Sequence, residues 1–341
     1  MVNGPDTSAF AAPEPALLPP GPRPSFSVVV AAWQVADLIG VALDSALQQT
    51  EPPHEVIVVD DGSTDDLVGA LERFGQRIRL LQVPHGGLST ARNVSVGAAT
   101  GDFIAILDAD DRWEPQRLAR LADLAQARPD LDLLTTDAWF LVDGERRGRF
   151  YEANTFATED QATAILERNY FFAHLAVRRS TWHRFGGMAP DVAWAEDWDF
   201  WLRLLLAGCS AGCVMEPLAD YRIHAGSVSA NRWRSLQARV EVLDRAARAG
   251  GLTDHQRRVL EAARATYRRR AVMARAEQAL LQQAPDRRSA ALTMARTAGT
   301  PLRQRVAGLG AALLPNLAGA RLRRASKARG QARTDRSIPR R

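Results

Sequence analysis

Cysteine is nearly absent: Cys209 and Cys213 are the only two in 341 residues. They lie four apart with no second cysteine pair, so neither a zinc site nor a disulfide framework is indicated, and a reducing compartment fits. Lysine is scarcer still, with Lys327 alone, so the arginine abundance partly reflects genome-wide composition rather than function. No window supplies about 20 uninterrupted apolar residues, which argues against a membrane-spanning helix. No basic start followed by an apolar core marks a secretory signal. Pro13, Pro15, Pro19, Pro20, Pro22 and Pro24 instead predict a disordered lead-in over residues 1–24.

What is present is ordinary for a globular protein of one large or two smaller domains, with 46% hydrophobic and 24% charged residues. The net charge of +5 is unevenly spread. Residues 1–230 carry 18 Arg against 32 Asp and Glu, a balance of −14, and residues 231–341 carry 26 Arg and Lys against 7 acids, a balance of +19. The acidic front and basic back imply different partners, the back facing something anionic.

The most informative stretch is GDFIAILDADD, Gly101 to Asp111. Phe103 to Leu107 reads as a buried strand of a parallel sheet. It ends in Asp108, Asp110 and Asp111, which repel one another and gain nothing from a strand end. A hard divalent cation, Mg²⁺ or Mn²⁺, would offset that charge. A solvated acidic turn is the alternative, and the triplet alone leaves both open.

Upstream, Ser25 to Ala32 and Glu55 to Val59 read as strands, with a helix over Val35 to Gln49 between them. The second strand runs into Asp60, Asp61, Gly62, Ser63, Thr64 and Asp65, a turn and a helix start. A helix to Phe74, a strand at Ile78–Val83 and a helix capped near Ser89 follow. Short apolar strands alternating with helices predict an α/β fold with a doubly wound, mainly parallel sheet. Ligands of such sheets sit at the carboxyl ends of the strands, where both acidic clusters fall. Helix capping accounts for one acid per turn, not for repeated pairs.

Beyond Pro115 a helix reaches about Ala127, and Leu131–Val142 with Arg146–Tyr151 read as strands joined at Asp143-Gly144. Thr158–Asn169 reads as helical and His174–Val177 as extended. Glu196, Asp197 and Asp199 fall in the first turn of a helix that continues through Phe200, Leu202, Leu204, Leu205 and Leu206 to Gly208. A favourable dipole interaction explains one or two of these acids. Flanking by Trp194, Trp198 and Trp201 implies a partly desolvated pocket, where a carboxylate can act as a base.

The segments VVDDGSTDD, GLSTARN, FIAILDADD, AEDWDFWLRL and YRIHAGSVS, in this order over roughly residues 25–230, resemble the family 2 inverting glycosyltransferases of the GT-A fold. The resemblance implies transfer of a sugar from a nucleotide-diphosphate-sugar donor to a hydroxyl of a glycan or lipid-linked acceptor, in polysaccharide or glycolipid synthesis. It places Asp60 and Asp61 at the base and ribose of the donor, and Arg92 at the diphosphate or ribose. Asp108 and Asp110 form the Asp-Xaa-Asp motif, Asp110 as a direct metal ligand and Asp108 nearer the ribose. Asp111 is left as a ligand, a partner of the ligands or a cap. Asp197 is similar to the general base, with Glu196 beside it. His224 resembles a position that in some relatives helps bind the metal or the departing diphosphate, and Arg222 adds positive charge there. The first strand departs from the family pattern: Ala31-Ala32-Trp33-Gln34 stands where relatives commonly carry Pro-Ser/Thr-Tyr-Asn.

Past residue 230 no catalytic motif is visible. Leu260, Tyr267, Ala271, Ala274 and Leu281 make a helical stripe suited to packing on a neighbour. Val306 to Ala320 is apolar, interrupted by Pro315 and Asn316, and bracketed by Arg303, Arg305, Arg321, Arg323 and Arg324, which suits a segment lying on an anionic membrane. A solvated tail after a small bundle is the alternative. Nucleic acid is not expected, because no recognised fold or interleaved aromatics support it. The expected organisation is a glycosyltransferase domain at 25–230, a basic helical region at 231–325 and a disordered tail at 326–341, in a cytoplasmic protein able to associate with the inner face of the membrane. A nucleotidyltransferase, or a catalytically silent binding module, is the rival reading.

Overall fold

A computed structural model of the chain describes residues 22–223 and 231–324. Expectations for residues 1–21 and 326–341 lie outside it, as does the role assigned to His224. The elements run β1 (Phe26–Ala32), α1 (Ile39–Leu47), β2 (Glu55–Asp60), α2 (Leu67–Leu71), a 3₁₀ turn (Glu72–Arg77), β3 (Arg79–Gln82), α3 (Leu88–Ala98), β4 (Phe103–Ile106), β5 (Arg112–Trp113) and α4 (Arg117–Ala127). Then come β6 (Leu133–Val142), β7 (Glu145–Arg149), α5 (Phe150–Ala153), α6 (Gln161–Glu167), β8 (Ala176–Arg178), α7 (Arg179–Arg184), α8 (Glu196–Leu206) and β9 (Ala211–Ile223). Helices α9 (Arg232–Ala249), α10 (Asp254–Leu281), α11 (Arg287–Arg296) and α12 (Leu302–Leu313) follow, and residues 315–324 are helical as well.

One sheet joins the strands in the order β3-β2-β1-β4-β8-β6-β9-β5, with β7 paired to β6. The first four are mutually parallel; the apolar runs of β1, β2 and β4 are buried on both faces, and β3 is a partly exposed edge. Alternate residues serve opposite layers: Val28, Val30, Val58 and Ala105 face α1, α2 and α4, while Val29, Ile57, Val59 and Ile104 face the core shared with α8. The other half is mixed. β8 runs antiparallel to both β4 and β6, whereas β6 and β9 are parallel. A three-residue strand shows too little alternation to announce its direction, so the antiparallel insertion is invisible in the sequence pattern.

Some boundaries move for local reasons. The helix expected from Val35 begins at Ile39, because residues 33–38 form a turn tied to the β2–α2 loop. There Asp65 accepts from the Ala36 amide at 2.9 Å, and Gln34, at φ 54°, bonds Ser63 and Thr64. The strand expected to reach Tyr151 stops at Arg149, and the buried Asp137 carboxylate accepts the Tyr151 amide at 2.9 Å, turning the chain into α5.

The basic region is not a detached unit. Leu236, Val242, Leu243, Leu260, Tyr267, Ala271 and Ala274 lie in the same apolar core as the sheet and α8. The stripe read on α10 is therefore packed, except that Leu280 rather than Leu281 is the buried residue at its end. The Tyr267 ring meets Trp198 of α8 edge-on, with centroids 5.6 Å apart. Truncating this buried ring opens a cavity under the helix that carries Asp197. Tyr267→Ala is expected to cost about 3 kcal/mol in equilibrium urea unfolding.

Candidate active site

The carboxyl ends of β1, β2 and β4 open at one edge of the sheet. Asp60 and Asp61 are both there and both nearly fully buried. Asp60 accepts from the Ser63 amide at 2.8 Å and from Gln82 at 3.4 Å. Asp61 uses one oxygen for the Gly86 amide at 2.7 Å and the other for the Gly87 amide at 2.9 Å, with His85 Nδ1 also 2.9 Å away. These acids thus shape the loop that opens α3, with Gly87 at φ 86° supplying the left-handed step before Leu88. The same loop stacks His85 under Trp33, centroids 4.9 Å apart and planes 26° apart, leaving half of the indole in solvent. A flat aromatic surface consequently stands at the strand end where the sequence departs from its family pattern.

At the end of β4 the three carboxylates diverge. Asp108 pairs with Arg92 of α3 at 2.7 Å. Burial pushes its carboxyl up, but the Arg92 guanidinium outweighs this and holds it below the ordinary value. Asp111 is almost fully buried and accepts the Arg222 amide at 2.7 Å through Oδ1. Burial, then Asp108 and Asp110, push its carboxyl well above the usual range. Arg222 also donates from Nε to the Asp110 carbonyl at 2.8 Å, which locks the end of β9 against the triplet.

His174, which carried no functional reading in the sequence, completes the group. Its ring is fully buried, with Nε2 2.8 Å from Asp111 Oδ2 and 3.8 Å from Asp108 Oδ2. Trp113 Nε1 donates to Nδ1 at 3.0 Å. The Asp108 amide also points at Nε2, at 3.4 Å, so each ring nitrogen meets an N–H donor. Burial lowers the imidazole to about 3, so it is neutral. Oxygen and nitrogen atoms of Asp108, Asp111 and His174 lie within 4.8 Å of one another. Asp111 Oδ2 has no hydrogen-bond partner among the described residues, its His174 contact falling outside hydrogen-bond geometry. A divalent cation fits this orphaned oxygen and the crowded acids. The carboxylates are the natural ligands of such a hard cation, with His174 Nε2 beside them. A lone histidine before a short strand has no periodic signal, which is why the sequence did not single it out.

The α8 acids also separate by role. Glu196 is buried and lies 3.3 Å from the other side of the Arg92 guanidinium. Burial, then Asp197, raise its carboxyl to about 7. Asp197 is half-buried, accepting from Asn169 at 3.0 Å and from the Trp198 amide at 2.6 Å. Burial lifts it above its ordinary value against the pull of Arg92. Asp199 faces away, bound to Arg203 and Arg245 at 3.1 Å each, and ties α8 to α9. The preceding loop holds Trp194 at φ 72°, a conformation costly for a bulky residue. Trp198 and Trp201 are core residues rather than pocket walls, Trp198 donating to the Ile165 carbonyl at 2.9 Å.

The architecture and the acid-rimmed crevice are those of a GT-A glycosyltransferase. The mannosyltransferase PcManGT from Pyrobaculum calidifontis, solved with GDP-Man and Mn²⁺, superposes with a TM-score of 0.54 over 87% of this chain and 88% of its own, at 22% identity. S. aureus TarS 1–349, solved with UDP-GlcNAc, gives 0.58 over 89% and 92%, at 18% identity. In sequence, the putative teichuronic acid biosynthesis glycosyltransferase TuaG of Bacillus subtilis is 29% identical over 217 residues, 62% of this chain and 84% of TuaG. Residues 27–185 match the model of glycosyl transferase family 2.

Glu196 gives the site a pH signature. Its folded value near 7 exceeds the ordinary value of 4.5, so the folded state keeps a proton that the unfolded chain has released. Stability therefore falls as pH rises from about 4.5 to about 7. The melting temperature of the metal-free protein is expected to drop across that window, and Glu196→Gln to flatten the drop.

Proposed function

We propose that the chain is a divalent-cation-dependent inverting glycosyltransferase, moving a sugar from a nucleotide-diphosphate donor to a hydroxyl of a glycan or lipid-linked acceptor in polysaccharide synthesis. The observation that carries this reading is the buried Arg92 guanidinium, held between Asp108 at 2.7 Å and Glu196 at 3.3 Å, with Asp197 next in the chain. One rigid cation thus links the acids of the donor side to the acids of the acceptor side.

The residues divide the work. The Trp33–His85 surface offers a stacking face to the nucleobase, a contact that tolerates any base. Asp60 and Asp61 act by shaping the loop around that face, and their direct contacts with the ribose or base are limited to what their bonds to Ser63, Gly86 and Gly87 leave over. A cation held by Asp108, Asp110 and Asp111 would supply Lewis-acid stabilisation of the leaving diphosphate. His174 keeps Asp111 in place beneath it, and Arg222 adds a fixed positive charge at the same edge. The names of TuaG and of the structurally similar transferases support a nucleotide-sugar donor and a surface-polymer product.

On the acceptor side, a neutral alcohol is a poor nucleophile and needs a base. Asp197 is the reading we favour over Glu196. Its carboxylate is half-buried and held by Asn169, whereas Glu196 is buried against Arg92 and carries a proton near neutral pH. A base on one face of the sugar and the diphosphate on the other give a single displacement with inversion.

The test is nucleotide release from a panel of sugar donors, with and without chelator, beside donor binding by calorimetry. Asp197→Asn is expected to keep donor affinity and lose transfer by about a hundredfold or more. Transfer surviving in Asp197→Asn and lost in Glu196→Gln would reassign the base, and release unaffected by chelator would remove the cation.

A further inference from the structure

We propose that α12 and residues 314–324 form a docking surface for an anionic lipid membrane, with the helix lying in the plane of the interface. The first observation is an inverted helix. On a soluble amphipathic helix the large apolar residues face inward. In α12 the small ones do. Gly308, Ala311 and Ala312 are the buried residues, and the approach to α11 is so close that a side chain at Gly308 would meet the Met294 Cε at 2.8 Å and the Ala291 carbonyl at 2.9 Å.

The large residues are turned out. Leu302, Val306, Leu309 and Leu313 are spaced by four, three and four, which places them in one stripe, and Leu302 and Leu313 are each 76% exposed. Leu314 and Leu317 continue the exposed apolar surface. Half of the large hydrophobic side chains exposed among the described residues lie in this 16-residue window, so the feature is not the scatter usual on a protein surface.

The second observation is charge. Residues 287–324 contain eight arginines, at 287, 288, 296, 303, 305, 321, 323 and 324, and no Asp or Glu. None of the eight forms an ion pair among the described residues, although Arg287 donates to the carbonyls of Gln283 and Ala284 and to Asn316, and Arg305 and Arg323 donate to the backbone carbonyls of Ala295 and Leu281. The segment beyond, residues 325–341, adds six basic residues against Asp335.

An apolar stripe bordered by unpaired cations selects its partner. A second copy of the chain would bring like charges together around the stripe, and a polyanion such as nucleic acid offers nothing to the leucines. A bilayer with anionic headgroups satisfies both, taking the leucines into the acyl boundary and the arginines at the phosphates. The stripe spans about 17 Å at 1.5 Å per residue, too short to cross a bilayer of about 30 Å. No helix among the described residues is long and apolar enough to cross. The surface inference rests on these residues alone and stands apart from the sugar chemistry.

The test is flotation of the full chain with phosphatidylcholine vesicles, with and without phosphatidylglycerol. Binding is expected only with phosphatidylglycerol, weakening as salt is added. The double variant Leu309→Asp/Leu313→Asp, whose side chains are exposed, is expected to keep its melting temperature and lose about tenfold or more in partitioning. Arg303→Gln/Arg321→Gln/Arg324→Gln, which leaves the apolar stripe intact, is expected to weaken partitioning at low salt and to lessen its salt dependence. Failure to float with anionic vesicles, or flotation unchanged in both variants, would overturn the proposal. So would a dimer in solution that the leucine variant dissociates while vesicles are ignored, which would give the stripe to a second copy.

Discussion

A buried guanidinium cannot stand unpaired, because the cost of taking a lone charge out of water exceeds what a small domain has to spare. Arg92 is that charge here. It sits on α3, the helix opened by the Gly86-Gly87 loop, and reaches Asp108 at the end of β4 and Glu196 at the start of α8. Burial works against its charged form, and Asp108, Glu196 and Asp197 together overcome that and raise it above its ordinary value. Three elements distant in sequence are therefore fixed relative to one another by a single side chain. The positions of the acids at the end of β4 and of the candidate base follow from it.

The rest of the structure serves this alignment. Arg222 ties β9 to Asp110 and Asp111, Asp199 ties α8 to Arg245 of α9, and Tyr267 of α10 supports Trp198 from behind. The basic helices α9 and α10 thus belong to the core that holds the site. Farther on, α11 and α12 pack through alanines in small separate clusters, so the chain changes character there, from a stable core to a surface device.

The parallel half of the sheet was legible from sequence because its strands are wholly apolar and each ends in turn residues. The acid pairs were legible because nothing in a strand end asks for them. The two bonds each acid makes were not. Asp61 reads as a ligand contact in a motif, yet its oxygens are both taken by loop amides, a fact set by where Gly86 and Gly87 fold back. His174 acts through contacts with residues more than 60 positions away, which local pattern does not encode. In α12 the apolar content was visible, but its outward face depends on Gly308 choosing the inner side.

The central claim is that Arg92 couples the donor and acceptor halves. The most direct test replaces it with lysine, a point charge that is unable to bridge two carboxylates as a planar fork does. Donor affinity by calorimetry and transfer rate at saturating donor are measured on the folded variant. The account predicts that Arg92→Lys weakens the first and slows the second, each by about tenfold or more. A variant that binds donor normally and transfers at the wild-type rate would contradict it.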